Sequence, residues 1–460
     1  MCEKASGGEL LAGAGQADIT PAQGIQIAGD IGRCRPVEEI RDPLHAKALM
    51  LRGGGKTACL LSLDVTGVMR RYSDELRRRI ADRLDTSPDA VIVHALQSHS
   101  APVVGHHAIG DDCTLIPADL PWLRGGDDRY LEPFLNGVMQ AVGKAEASLG
   151  PVAVKAGRRA DGRVAFNRRF VMRDGTVKTH PPKCDPEILH CEGPTDPEVG
   201  VAVFEGASGK AVAAILHHTC HPTHGYPQRW ISADWPGSWS QGTRGLLGEQ
   251  CVPLVVNGAC GNVHHANHLD PTQEDTIEAM GAKLTETTGR ILSELRRVEV
   301  SPLGWSSRML RIPLRTLSAE EVAAARKMLD EHPQPVWTDA EKTNVSWDWV
   351  YAAATLDLAR RQEQQPWYDC EIQVLRLGEL AVAAWPGEPF VEAQLAVKKG
   401  SPAAYTFVAH FCNDSAGYIP TRRAFAGGGY ETRTANWSKL APEALETIEA
   451  ATLEMLQELC

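Results

Sequence analysis

The sequence predicts an α/β fold: one large mixed-sheet catalytic domain spanning residues 1–460 and flanked by helices. The first observation behind this is a strand–helix–strand run. AKALMLRGG and KTACLLSLDVTGV read as short apolar strands joined by glycines, and a helix follows from about Ser73 to Leu84 on a 3.6-residue apolar period. AVIVHALQ is then a near-continuous apolar strand of the kind buried on both faces. The second observation is that the two element types keep interleaving. Helices are expected near 130–149, 275–297, 319–331, 349–363 and 441–459. Strands are expected near 151–156, 199–204, 211–218, 252–257, 371–377, 380–384 and 405–410. The stretch from about 318 to 366 is charged and Trp-containing, and reads as a helical excursion rather than a separate domain. Pro/Gly-rich loops near 100–125 and 176–198 have the length of loops that line or cover a site. No glycine-rich nucleotide fingerprint opens the first helix.

Composition narrows the function. A net charge of −11 argues against a phosphate-neutralising face, so no nucleic-acid partner is expected. Arg77, Arg78 and Arg79 read as a solvated helix face. The first residues carry no basic segment followed by an apolar run, and no stretch approaches the roughly 18 apolar residues of a membrane span. Twelve cysteines are scattered from Cys2 to Cys460 without the short regular spacing of a disulfide scaffold, so they read as reduced, mostly buried thiols. On these features a cytoplasmic protein that does not engage membranes is expected. The expected partner is a small-molecule substrate, with self-association into a homo-oligomer left open.

Four clusters at strand–loop junctions carry the chemistry, the place where ligands bind in open α/β sheets. They are Leu96 to Pro102 (LQSHSAP), His217 to His224 (HHTCHPTH) with Ser232 to Gly237 (SADWPG), Asn257 to His265 (NGACGNVHH), and a C-terminal group. The last comprises Pro386 to Pro389 (PGEP), Asn413 to Thr421 and Gly428 to Glu431 (GGYE). If the strand before the first cluster continues, Gln97 and His99 share a face. Ten of the sixteen histidines lie in or beside these clusters. Neutral imidazole is the commonest metal ligand, and two or three imidazoles with a carboxylate form a usual catalytic zinc set. No H-E-x-x-H or paired C-x-x-C is present, so spacing alone identifies no ligand.

The order of the clusters resembles the neutral/alkaline non-lysosomal ceramidase family, above all its shorter bacterial members. The resemblance runs from Ala12-Gly13-Ala14-Gly15-Gln16-Ala17-Asp18-Ile19-Thr20-Pro21 through RDPLHAKAL at Arg41 to Leu49, Asn167-Arg168-Arg169, SADWPG and PGEP to about Glu431. It does not extend to the C-terminal immunoglobulin-like domain of the longer members. The resemblance implies a zinc held by two histidines, a glutamate and a tyrosine, with a metal-activated water attacking an amide carbonyl. It carries the second histidine to His221, the glutamate to Glu388 and the tyrosine to Tyr430. The family's Thr-His-Thr-His-Ser-Gly-Pro reads LQSHSAP here, so the assisting histidine is His99 but the other ligand position holds Gln97.

That substitution leaves three outcomes open. The zinc stays, held through Gln97 or with His99 drawn in; or another imidazole such as His264 replaces the ligand; or the site is metal-free. A Gln oxygen is a harder, weaker donor toward zinc than imidazole. The family's serine near a Gly-Asp/Asn-Val motif is also missing, leaving Cys260 as an alternative nucleophile with His264 or His265. Arg168 and Arg169 are expected to reach an acyl oxygen or carboxylate of the substrate, with scaffold ion pairs as the alternative. Asp234 is expected to orient a ligating imidazole or to cap a helix. The expected function is therefore zinc-assisted hydrolysis of an amide in a small intracellular compound. A metal-free Cys/His esterase, lactonase or amidase, and a binding protein with a degenerate site, are the alternatives.

Overall fold

The computed structural model describes residues 9–110 and 112–459, so Cys2, Cys460 and the first eight positions lie outside it. The longest sheet contains β1 (Leu11–Asp18), β2 (His45–Gly53), β3 (Lys56–Leu63), β4 (Val91–Ala95), β5 (Gly150–Ala160), β6 (Glu198–Gly206), β7 (Ala211–His218) and β8 (Val252–Asn257). Their order is β8-β7-β6-β5-β1-β2-β3-β4, with the short segment Arg296–Arg297 also paired to β5. Pairs β3/β4 and β7/β8 are parallel, whereas β1/β2 and β6/β7 are antiparallel, so the sheet is mixed as expected. A second sheet holds β9 (Leu303–Pro313), β10 (Trp367–Leu377), β11 (Leu380–Ala384) and β12 (Tyr405–Ala409), the last two parallel.

Burial on both faces explains the apolar runs. In β3, Ala58 and Leu60 turn to a central core that also takes Phe204, Leu254, Val382 and Phe407 from other strands of both sheets. Cys59, Leu61 and Leu63 turn the other way, onto Leu76 and Ile80 of helix Arg70–Leu84 and Phe134 and Val138 of helix Leu131–Ala147. Helices Asp234–Leu247 and Ile277–Leu292 cover β6 to β8, and Val391–Gly400 with Ala444–Glu458 cover the second sheet. The 318–366 stretch forms two helices, Ala319–Glu331 and Trp347–Gln364. The second packs Trp349 and Val350 against Ala108, Ile109 and Trp437. Among the described residues no helix is long and apolar enough to cross a membrane.

β1 is absent from the sequence expectation, because LAGAGQAD lacks the bulk of a strand. The reason is close approach. A Cβ on Gly15 would stand 2.1 Å from the Ala141 carbonyl oxygen of the covering helix, and one on Gly13 equally close to that of Ala145. Arg77 departs from the solvated reading: it is buried and bonds both oxygens of Glu371 at 2.7 and 2.9 Å. Most described cysteines are buried and all are free, as expected of reduced thiols.

The long sheet is creased. β1 and β5 pair only through Leu11↔Pro151 and Ala12↔Gly150, and the two halves fold over so that edge strand β8 meets β3. There the Ser62 hydroxyl donates to the Val255 carbonyl at 2.8 Å. Just beyond, Asn257 joins four strand ends. Its backbone N–H donates to His94 Nε2 at 3.0 Å and its carbonyl accepts from His410 N–H at 3.1 Å. Its side-chain amide donates to the Leu96 and Cys220 carbonyls, at 3.2 and 3.0 Å, and accepts from Cys220 N–H at 3.2 Å. Replacing Asn257 by Ala strands three buried backbone groups, each worth about 1–3 kcal/mol. We expect Asn257→Ala to lose about 4 kcal/mol in urea unfolding; a loss under about 1 kcal/mol would contradict this role.

Candidate functional site

The joined strand ends open on a cavity of about 590 Å³ whose walls include Gln97, His99, Arg168, Glu388, Tyr418 and Tyr430. β4 stops at Ala95, and Gln97 takes a left-handed φ of +66°, an uncommon conformation for a residue with a side chain. The strand alternation expected for Gln97 and His99 therefore does not apply. A turn, not a strand, brings both to the cavity. Gly29, at φ +83°, lies against the His99 ring, where a Cβ would come within 2.6 Å.

Three buried atoms in this group have no hydrogen-bond partner: His99 Nε2, His221 Nε2 and Glu388 Oε2. His221 donates its Nδ1–H to the Cys260 carbonyl at 3.0 Å, which turns Nε2 toward Glu388 Oε2 3.5 Å away. The His99 and His221 ring centroids are 5.2 Å apart. Burial, reinforced by the positive charge of Arg35 and Arg168, lowers His99 to about 3. Burial holds His221 well below its ordinary value too, so both rings are neutral and present lone pairs. Burial lifts Glu388 to about 7, against the pull of Arg168 and hydrogen bonds from Gln97 and Tyr418. Buried polar atoms are almost always satisfied, so three orphans together demand a partner. Two neutral imidazoles and a carboxylate, one imidazole anchored through its other nitrogen, fit a divalent cation such as zinc.

The remaining expected residues are placed as follows. Gln97 is occupied, its side-chain oxygen facing the Cys260 thiol at 3.7 Å and its amide bonded to Glu388. Tyr430 lines the cavity in a short helical turn, its ring 5.5 Å from that of Tyr418 and 6.1 Å from that of Trp347. Arg168 also lines it, with its guanidinium pinned by Glu431 at 2.9 Å and the Gly261 carbonyl at 2.7 Å.

Four expectations are corrected. Arg169 is fully buried away from the cavity, its fork consumed by Glu192, by Glu431 at 2.7 Å and by the Gly428 carbonyl at 2.8 Å, so it holds the scaffold rather than a substrate. Cys260 lies behind Gln97, outside the cavity wall, and burial and the Glu388 charge push its thiol well up, which disfavours a thiolate. His264 lines the cavity but has no free nitrogen: Nδ1 accepts from Ala266 N–H at 3.0 Å and Nε2 bonds the Thr223 hydroxyl at 2.7 Å. It therefore does not stand in for the lost ligand. Asp234 begins helix Asp234–Leu247 and orients an imidazole at 2.7 Å, but that of His224, not of His99 or His221.

Glu431 and Thr223 stand in the clusters the sequence marked but were given no role there, and Tyr418, expected to serve packing, lines the cavity and hydrogen-bonds Glu388. Glu431 follows Tyr430 directly, and a lone acid two segments away from an Arg pair was the available signal. Fully buried, it accepts from Arg168, Arg169 and Thr179, and the two guanidiniums outweigh burial to keep it ionised.

No protein-family model and no curated protein matches this sequence. The fold is that of the neutral ceramidases. A crystal structure of neutral ceramidase from Pseudomonas aeruginosa superposes with a TM-score of 0.72 at 18% identity, over 98% of this chain and 74% of that one. A structure of ceramidase complexed with C2 gives 0.72 at 17%, over 98% and 75%.

Two outcomes follow from this site. Glu431→Gln leaves two buried guanidiniums undercompensated and should cost about 3–5 kcal/mol in chemical unfolding; a loss below about 1 kcal/mol would sink the anchoring role. Protonated Glu388 must release its proton before it can hold a cation. Zinc affinity, measured by chelator competition, should therefore rise steeply from pH 6 through about 7 and level off above, whereas a flat profile would exclude Glu388 as a holder.

Proposed function

We propose that this protein is a metal-assisted hydrolase that cleaves an amide bond in a small-molecule substrate, with zinc as the cation. The observation that carries the reading is the trio of orphaned atoms, His99 Nε2, His221 Nε2 and Glu388 Oε2: His99 and Glu388 line the cavity, and His221 Nε2 stands 3.5 Å from Glu388 Oε2. The sequence reading gave His99 the proton-handling role; its orphaned nitrogen beside His221 favours it instead as a holder. Gln97 and Tyr418 orient Glu388 by hydrogen bonds. A cation held there supplies Lewis acidity toward a carbonyl oxygen and lowers the pKa of water toward about 7. The Arg168 charge and the Tyr430 ring border the same space, where a developing oxyanion would be stabilised by fixed positive charge.

Support for an acyl–nitrogen target comes from the structural neighbours, both named as ceramidases, since ceramide is an N-acyl compound. The cavity, about 590 Å³, falls in the range of small-molecule sites, and its wall sets imidazoles, Arg168 and Glu388 beside the apolar faces of Tyr226, Trp347, Phe411 and Trp437, which suits a compound with both polar and apolar parts. The thiol alternative loses ground because Cys260 is buried behind Gln97. The test is elemental analysis of purified protein alongside turnover of a panel of N-acyl amides. Wild type should carry about one zinc at this site, and His221→Ala, His99→Ala and Glu388→Gln should each weaken zinc by more than roughly a hundredfold and abolish amide turnover. Wild-type protein that binds no divalent metal would refute the reading. Full zinc affinity in His99→Ala alone would return His99 to the proton-handling role.

A further inference from the structure

The cavity wall formed by Thr223, His264 and His265 carries a hydrogen-bond chain whose direction is fixed at both ends. At one end, Ala266 N–H donates to His264 Nδ1 at 3.0 Å. Because Nδ1 accepts, it carries a lone pair, and the ring's proton sits on Nε2. That proton is donated to Thr223 Oγ1 at 2.7 Å. At the other end lies Asp275, which its two imidazole neighbours keep ionised despite burial, so that it only accepts. His265 Nδ1 must therefore carry a hydrogen and donate it to Asp275 Oδ1, at 2.6 Å. The lone pair of His265 is left on Nε2, 3.1 Å from Thr223 Oγ1. The Thr223 oxygen already accepts from His264, so its own hydrogen points at His265 Nε2.

We propose that Thr223, His265 and Asp275 form a hydroxyl–imidazole–carboxylate triad, a second nucleophilic centre in this cavity that takes an acyl group from an ester. The roles are those of nucleophile, base and orienter. Thr223 Oγ1 forms a bond to the acyl carbon while its proton passes to His265 Nε2. The bond from that carbon to the leaving oxygen then breaks, and the departing alkoxide takes the proton from His265. Water attacks the acyl-threonine in the same way, giving a proton to His265, which returns it to Thr223 as the carboxylic acid leaves.

Burial and the charge of His224 lower His265, against the pull of Asp275 and Asp234, so the ring rests neutral with its Nε2 lone pair available as a base. His224 stacks on His265 at 3.6 Å between ring centroids and stands between Asp234, at 2.7 Å, and Asp275, at 3.5 Å. Although burial opposes charge, the two carboxylates raise His224 to about 9, so it is an imidazolium at neutral pH. One imidazolium against two carboxylates leaves a net charge of −1. A proton on His265 makes the group neutral. Donor atoms of His224, His265 and Asp275 also lie within 4.8 Å of one another, as a cation site would require. Rings stacked at 17° do not aim two lone pairs at one ion, and a charged His224 has none to give.

The centre does not use His99, His221 or Glu388, so its test separates it from the metal reading. Full-length protein, with and without chelator, is mixed with p-nitrophenyl acetate. The expected result is a burst of about one p-nitrophenolate per chain in both samples, with an acetyl group mapped by mass spectrometry to the peptide bearing Thr223. Thr223→Val should abolish the label, Thr223→Ser should keep it, and His265→Gln should slow acylation about a hundredfold or more with an unchanged circular dichroism spectrum. No acetyl group on Thr223 in wild type, or an undiminished rate in His265→Gln, overturns the proposal. Should Thr223→Val fail to fold, the mapped label and the His265→Gln rate decide it.

Discussion

One buried side chain, Asn257, holds the site's framework together. It stands at the end of β8, where the creased sheet closes on itself and meets the second sheet. Its amide satisfies backbone groups of Leu96 and Cys220 while its own backbone bonds His94 and His410. The loops leaving those strand ends are the ones that carry Gln97, His99 and His221. An amide suits this task because it donates and accepts at once and carries no charge into the core. An aspartate would lose both donor bonds and bury a charge.

A second anchor is built around Glu431. Glu431 gathers Arg168, Arg169 and Thr179, and Arg168 in turn reaches the Gly261 carbonyl. This cluster ties the segment bearing Tyr430 to the loop whose Cys260 carbonyl sets the His221 ring. Buried charge is costly and is retained where geometry must be fixed. Here it fixes the cavity wall and leaves Arg168 as a permanent positive charge beside Glu388.

The cavity is unusually rich in imidazoles held neutral by burial. Their environments divide them into two groups. His99 and His221 face Glu388 with unpartnered nitrogens, whereas His264 and His265 spend theirs on Thr223, Ala266 and Asp275. Only His224, between two carboxylates, is held charged. Residues of one type, gathered in one site, thus acquire different chemistry from burial and from the partner on the second ring nitrogen.

Much of the fold was legible in the sequence because periodicity is local. Apolar runs such as VIVHA and AVAAILHH announce strands covered on both faces, and helices such as Leu131–Ala147 announce a buried stripe. Gln97, His99, His221, Glu388 and Tyr430 were singled out by the resemblance to the ceramidases rather than by spacing. β1 escaped because its glycines answer to a helix that packs on it from more than 100 residues away. The site's inner arrangement escaped for a similar reason. Whether an Arg reaches a substrate or a buried Glu431, and whether a histidine nitrogen is free or already bonded, depends on partners distant in the chain. The sequence by itself determined which elements form and which residues stand at their ends, since those follow from near neighbours and side-chain period. Only the tertiary structure decided which nitrogen and oxygen atoms were left without partners, because burial and hydrogen-bond satisfaction are properties of the assembled core.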